Sequence, residues 1–114
     1  MTITRKSAKA KGHRLQDDVR DKLRKEFTQL EPLDINSAIS SENGTDIKLS
    51  PLAKKIIPYS IECKNQEKIS IWACLEQAET NVLPNTEPVL IFKRNHSKTY
   101  AVIELDVFIK LIKK

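Results

Sequence analysis

Two acids and a lysine occur at a spacing that could assemble a phosphodiester-cutting centre. Fifteen residues separate Asp46 from Glu62, and Lys64 follows two residues later in the stretch YSIECKN. Phosphodiester hydrolysis needs a hard cation held by carboxylates, an activated water, and a positive group near the developing charge. Two close carboxylates are unfavourable without a cation, and oxygen-only ligation suits Mg²⁺ or Mn²⁺. The pattern D-x15-E-x-K therefore predicts a metal site, although the E-x-K triplet alone is equally typical of a solvated strand face.

The predicted strands position these side chains. Tyr59 to Lys64 alternates as a half-buried strand, which directs Glu62 and Lys64 to one face about 6–7 Å apart. The backbone carbonyl of Cys63 lies between them and is available as a further metal ligand. Asp46 begins a short preceding strand, just after Gly44. Pairing of the two strands would bring Asp46 to Glu62.

The remaining elements indicate an α/β domain. Apolar residues at every fourth position from Leu15 to Phe27 predict an amphipathic helix that ends before Pro32. A strand–helix–strand crossover predicts a partly parallel sheet covered by helices. We predict a single domain over residues 12–114. Its other elements are strand 46–49, a short helix capped by Ser50, strand 59–64, a helix after Ser70, strand 89–92, strand 100–105 and a final helix capped by Asp106.

Positive charge is concentrated at one end of the chain. Residues 1–25 hold nine Lys or Arg against three Asp, a net charge of +6 in a chain whose total is +5. We predict a flexible basic arm over residues 1–11, to which His13 adds, and a polyanionic partner, usually nucleic acid. A solubilising tail is the alternative. Without a secretory signal or a membrane-length apolar run, we expect a cytoplasmic protein with no membrane partner.

Three apolar or thiol side chains have ordinary interpretations. Cys63 and Cys74 match no zinc or redox spacing, so we expect two buried free cysteines. Trp72 lies on the apolar stripe of its predicted helix. We therefore expect it to pack in the core or at a contact between two copies of the chain.

The stretches KGHRLQDDV, SAISSENGTD, IECK and WACLEQAE occur in an order that resembles the PD-(D/E)XK nuclease superfamily. More narrowly, the chain is similar to the small archaeal and phage Holliday-junction resolvases from Gly12 to about Glu104. The resemblance implies a three-layer α/β/α restriction-endonuclease-like fold with a central mixed sheet of about four to five strands. It also implies a homodimer that cuts branched DNA with Mg²⁺, for which Mn²⁺ substitutes.

Site roles follow from the resemblance residue by residue. Asp46 and Glu62 match the metal-binding acids, Lys64 matches the lysine that positions the attacking water, and Gln77 matches a helix glutamine that orients the lysine or a phosphate. We also expect a set of residues to contact DNA, two of them in the serine-rich loop. These residues are Lys9, Lys11, Arg14, Ser40, Ser41 and Asn65.

The first helix departs from the family pattern. Family members often carry a glutamate where this chain has Gln16, and a neutral amide is a poorer ligand for a hard cation. Either Gln16 acts through a metal-bound water or Asp17 takes its place. Adjacent helix positions differ by about 100° in direction, so one of the two faces the site. The number of metals therefore stays open.

The sequence thus predicts a Mg²⁺-dependent, structure-selective endodeoxyribonuclease, a Holliday-junction resolvase that makes paired nicks as a homodimer. One alternative is another PD-(D/E)XK nuclease of the restriction or repair type. Another is a basic DNA-binding module without catalysis. A third, a structural interaction protein, predicts no salt-dependent affinity for DNA.

Overall fold

The computed structural model describes residues 5–39 and 42–113, which form an α/β protein. In that part of the chain, no helix is both long enough and apolar enough to cross a bilayer. The described elements, in chain order, are α1 (Arg5–Glu26), a 3-10 turn (Pro32–Asp34), β1 (Ile35–Ser37), β2 (Ile47–Leu49), α2 (Pro51–Ile56), β3 (Tyr59–Asn65), α3 (Ile71–Thr80), β4 (Glu87–Lys93), β5 (Tyr100–Val102) and α4 (Leu105–Ile112).

The five strands of the described ranges form two sheets. Strands β3 and β4 are parallel, with Glu62 opposite Leu90, and α3 connects them. The predicted strand–helix–strand crossover is therefore confirmed. Strand β5 pairs antiparallel with β4 and completes a mixed sheet in the order β3-β4-β5. The mixed sheet has three strands rather than four to five, because β1 and β2 form an antiparallel pair of their own.

The first helix begins earlier than the sequence indicated. Residues 5–11, predicted as part of a flexible arm, are the first turns of α1. Lysine and alanine dominate this stretch and both are strong helix formers, so the helix needs no apolar period to extend towards its N-terminus. Lys11 also lies four residues before Leu15, in line with the apolar stripe, and it is buried. Residues 1–4 of the predicted arm lie outside the described residues.

The main core lies between α1 and one face of β3 and β4. Leu15, at 2% exposure, packs with the odd-numbered strand residues Ile61, Cys63 and Val89, and with Ile35 of β1. Burying one such leucine or isoleucine contributes about 1.5–3 kcal/mol through removal of apolar surface from water. The core therefore fixes α1 across β3, which places the polar N-terminal half of the helix next to the C-terminal half of the strand.

Two local predictions were corrected and one was confirmed. The stretch containing Ile35 was expected only to end the first helix, but it forms β1, held to α1 by the Arg24 guanidinium, whose Nε donates to the Ile35 carbonyl at 2.9 Å. Helix α4 begins at Leu105 after Glu104, instead of after an Asp106 cap. The Ser50 cap is confirmed, because its hydroxyl accepts a hydrogen bond from the Ala53 N–H at 3.1 Å.

The side chains of the two cysteines and the tryptophan also have defined places. Cys63 and Cys74 are free and buried, as predicted. Trp72 is 81% exposed, so the expectation that it packs in the core of its own chain is wrong. Its helix does carry an inward stripe, but Cys74 and Ala78 occupy it.

Candidate metal-dependent active site

Asp46 joins the two sheets at the edge of β3. Its backbone N–H donates to the Ile61 carbonyl at 2.9 Å, and its carboxylate Oδ2 accepts from the Cys63 N–H at 2.6 Å. Both bonds flank Glu62, so they fix the Asp46 carboxylate beside that residue. Gly44, two residues earlier, has φ +94°, a conformation that favours glycine and turns the chain into this position.

Glu62 is a buried acid with a dedicated partner. Its side chain is 1% exposed, and the Asn81 side-chain amide donates to Oε1 at 2.8 Å. Burial raises the pKa of the Glu62 carboxyl most strongly, the Asn81 hydrogen bond opposes this, and the negative charge of Asp46 raises it further. The pKa moves from its usual 4.5 to about 7. The two carboxyls are therefore close enough to compete for charge, which is the condition that a divalent cation relieves.

Lys64 is half-buried two residues further along β3. Its ammonium lowers the pKa of Glu62, so the positive charge lies within electrostatic reach of the acid pair. Lys64 also lines a cleft of about 320 Å³ together with Asp46, Cys63 and Gln16. The structure thus places Asp46 and Lys64 on one cleft, while Glu62 is buried outside the lining of that cleft and within electrostatic reach of both.

The Cys63 backbone faces the same cleft. In a β-strand the N–H and C=O of one residue point to the same edge, and the Cys63 N–H points to Asp46. The Cys63 carbonyl therefore points towards the edge where the Asp46 carboxylate lies. Burial raises the pKa of the Cys63 thiol, which keeps the sulfur protonated at neutral pH. The oxygen of this residue is accordingly the better ligand for a cation.

The alternative between Gln16 and Asp17 has a geometric answer. Gln16 lines the cleft, and its side-chain oxygen is buried without a hydrogen-bond partner among the described residues. Asp17 instead accepts hydrogen bonds from the Ser37 hydroxyl at 2.7 Å and from Arg20 at 3.2 Å. An amide oxygen that has no partner in the described part of the chain can accept from a water or bind a cation, so Gln16, rather than Asp17, is available at this cleft.

Gln77 occupies a different position from the one its predicted role suggests. It lies on the exposed part of α3, and its backbone carbonyl accepts from the Asn81 N–H. The side chain that contacts Glu62 is Asn81, one helical turn later. Asparagine at a helix end normally indicates a cap, so the sequence carried no signal for this contact. The orienting role of Gln77 stays a prediction.

The residues predicted to contact DNA are in varied surroundings. Lys9 lines the cleft with His13, which the sequence analysis had assigned only to the basic arm. Arg14 and Asn65 line a separate, smaller cleft. Lys11 is 8% exposed, and its ammonium has no hydrogen-bond partner within the described part of the chain. Ser40 and Ser41 lie outside the described residues.

The oxygen donors of the site fit a hard cation that needs only a few ligands from the protein. Across residues 5–39 and 42–113, no group of three or more His, Cys, Asp and Glu side chains gathers at one point. The site instead offers two carboxylates, a backbone carbonyl and one amide oxygen that has no partner among the described residues, from Asp46, Glu62, Cys63 and Gln16. Magnesium commonly takes one or two carboxylates and keeps several waters, so this set is sufficient for it.

Comparisons of the chain with models of protein families, with curated proteins and with solved structures found no match. The chemistry of the site is therefore the basis for inferring a function.

Proposed function

We propose that the protein is a metal-dependent structure-selective endodeoxyribonuclease of the PD-(D/E)XK type, which cuts four-way DNA junctions as a homodimer. The observation that carries this proposal is the placement of the Asp46 carboxylate beside buried Glu62, with Lys64 within electrostatic reach. Two neighbouring carboxylates, one of them buried, are unfavourable without a cation, and a lysine next to such a pair is suited to a phosphate substrate.

Four oxygen donors would hold Mg²⁺ or Mn²⁺: the carboxylates of Asp46 and Glu62, the Cys63 carbonyl and Gln16, the last directly or through water. When bound, the cation supplies a Lewis acid for the phosphoryl oxygen and lowers the pKa of an attacking water. Asn81 holds the Glu62 carboxylate in place through its 2.8 Å hydrogen bond. The chain thus fixes the ligands before substrate arrives, which is what electrostatic preorganisation requires.

Lys64 has two roles in this proposal. Its ammonium attracts the scissile phosphate into the cleft and donates to the oxygen that becomes more negative as the bond breaks. The lysine also orients the attacking water, which fixes the direction of attack relative to the leaving oxygen. Gln77 retains its proposed role in orienting Lys64 or a phosphate.

Basic residues around the cleft support a DNA substrate. Lys9 lines the cleft itself, while Arg14 and Lys93 line the small neighbouring cleft. Lysine and arginine contacts to phosphates would fix the duplex arms without reading sequence, as junction recognition requires. A four-way junction has two-fold symmetry, so two cutting sites in a symmetric dimer match its opposing strands.

We also propose that the fold has three layers, with the mixed sheet between α1 and α3. Odd-numbered residues of β3 and β4 pack with Leu15 of α1, whereas even-numbered Leu90 lines a groove with residues of α3. Because alternate strand residues point to opposite faces, α1 and α3 would cover opposite faces of the mixed sheet.

Cleavage of a labelled four-way junction, compared with a linear duplex of the same sequence, tests the proposal. Wild-type protein should nick the junction with Mg²⁺ and not with EDTA. Asp46→Asn and Lys64→Ala should each lower cleavage at least 100-fold and leave junction binding within a few-fold of wild type. Lys48→Ala is the matched control, because Lys48 lies on β2 and donates to the Asn43 carbonyl. Junction binding by wild type without nicking in Mg²⁺ or Mn²⁺ would leave a DNA-binding module, and preference for linear duplex would indicate another type of nuclease.

A further inference from the structure

Helix α4 has two apolar faces. Val107 is buried, and Leu111 lines a groove with core residues of α1 and β3, so this face packs on the chain's own core. At 100° per residue, four other side chains share a second stripe about 100° wide. They are Leu105, Phe108, Ile109 and Ile112, with exposures of 69%, 41%, 45% and 68%. A helix that is apolar on both sides is normally buried on both sides.

The exposed apolar surface continues beyond α4 to the edge of the mixed sheet. Strand β5 forms this edge, and apolar grooves of about 540 and 340 Å³ lie on its two faces. Ile103, between β5 and α4, lines both grooves. Trp72 is 81% exposed and lines the larger groove together with Glu104, the residue before α4, and Tyr100 of β5 is 55% exposed. We call the set of α4 stripe, β5 edge, Trp72 and Tyr100 the α4 face.

We propose that the α4 face binds a second copy of this chain. The inference rests on the proposed junction nuclease, for which it names the surface that joins the two cutting sites. The area of the α4 face also supports the inference. Six exposed apolar side chains, taking about 150–250 Å² for each fully exposed aromatic and less for each aliphatic, present roughly 700 Å². A stable complex buries about 800 Å² per partner, so the apolar side chains and a polar rim together supply enough.

The charges beside the stripe are complementary between two copies of α4. Asp106 and Lys110 lie on one flank of α4, four residues apart. When two copies of such a helix pack antiparallel across a two-fold axis, identical flanks meet, and Asp106 of each copy lies next to Lys110 of the other. Residues 108 and 109 are then at the axis. A second copy of the chain therefore supplies the opposite charge for both Asp106 and Lys110, and no other protein is needed.

Molar mass measured by light scattering, without DNA or metal, tests the interface. Wild type should have twice the 13.1 kDa chain mass. Ile112→Lys should raise the dissociation constant at least 100-fold and give a folded monomer, because the side chain is exposed within one chain. Leu33→Lys is the matched control, since Leu33 is 80% exposed on the 3-10 turn. This control should remain dimeric.

Cross-linking gives an independent measurement that does not require a folded charge variant. Ile109→Cys should form a disulfide between copies under mild oxidation, whereas Leu33→Cys should not, and native Cys63 and Cys74 are buried. A monomeric wild type, or a dimer unaffected by Ile112→Lys, overturns the inference. Binding of a monomer to anionic vesicles would overturn it in favour of a lipid surface. A dimer that does not cut DNA contradicts the nuclease and leaves the interface intact. An active monomer contradicts the interface and the proposed homodimer, and leaves the nuclease activity.

Discussion

Replacing Glu62 with glutamine should stabilise the metal-free protein at alkaline pH. Glutamine has the same shape as glutamate, and its side-chain oxygen still accepts the hydrogen bond from Asn81. Its side-chain amide nitrogen can donate towards the Asp46 carboxylate, which replaces repulsion by a hydrogen bond. The substitution therefore removes a buried negative charge and preserves the packing around it.

The sign and size of the effect follow from the pKa of Glu62. The folded value, about 7, is above the usual 4.5, so the folded state holds the proton more tightly than the unfolded state. Unfolding releases this proton between pH 4.5 and 7, and the free energy of unfolding falls as the pH rises through that window. A pKa of about 7 in place of 4.5 corresponds to about 3 kcal/mol in total, of which about 2 kcal/mol is lost between pH 5.5 and 8.5.

Urea unfolding in EDTA at pH 5.5, 7.0 and 8.5 measures this effect. The difference between wild type and Glu62→Gln isolates the one carboxyl, because every other titrating group is common to both. We expect the variant to gain about 2 kcal/mol relative to wild type across this range. Glu76→Gln removes an exposed carboxyl from α3 and should give a profile parallel to wild type. Parallel profiles for wild type and Glu62→Gln would refute the conclusion that burial raises the pKa of the Glu62 carboxyl.

Three further outcomes follow from the same geometry. At pH 8.5, 10 mM Mg²⁺ should raise the free energy of unfolding of wild type by about 1–2 kcal/mol if the dissociation constant is near 1 mM. The increase should be much smaller for Glu62→Gln, and thermal unfolding measures both. Asp46→Ala should cost about 1–3 kcal/mol in urea unfolding, because the Cys63 N–H loses its acceptor, whereas Asp46→Asn keeps an acceptor and should cost less. Lys11→Met should raise the free energy of unfolding by about 1 kcal/mol, since it removes a buried ammonium without a hydrogen-bond partner in the described chain, and equal or lower stability would contradict this.

The sequence predicted those parts of the molecule that depend on local pattern. Strand alternation placed Glu62 and Lys64 together on β3, and the crossover from β3 to β4 is parallel as expected. Serine before proline predicted the N-terminus of α2, where Ser50 caps the helix. These features depend on residues close in the chain, for which periodicity and capping chemistry are sufficient.

The features that were missed depend on contacts between distant residues. Strand β1 forms by pairing with β2, in which Ile35 lies opposite Leu49, and Arg24, eleven residues before Ile35, donates to its carbonyl. Asn81 contacts Glu62 across nineteen residues, and nothing in its neighbourhood along the chain indicates an acid partner. The early start of α1 was missed for a different reason, because an amphipathic pattern predicts only the part of a helix that packs.

The two hydrogen bonds of Asp46 have a consequence for the order of folding. This residue is the link between the two-stranded and the three-stranded sheet, and it is also half of the acid pair. A nascent or partly unfolded chain, in which the sheets have not yet joined, keeps its two carboxylates apart and so has no place for a cation. The acid pair therefore forms only once the two sheets have joined, so the proposed nuclease would have no active site in an incompletely folded molecule.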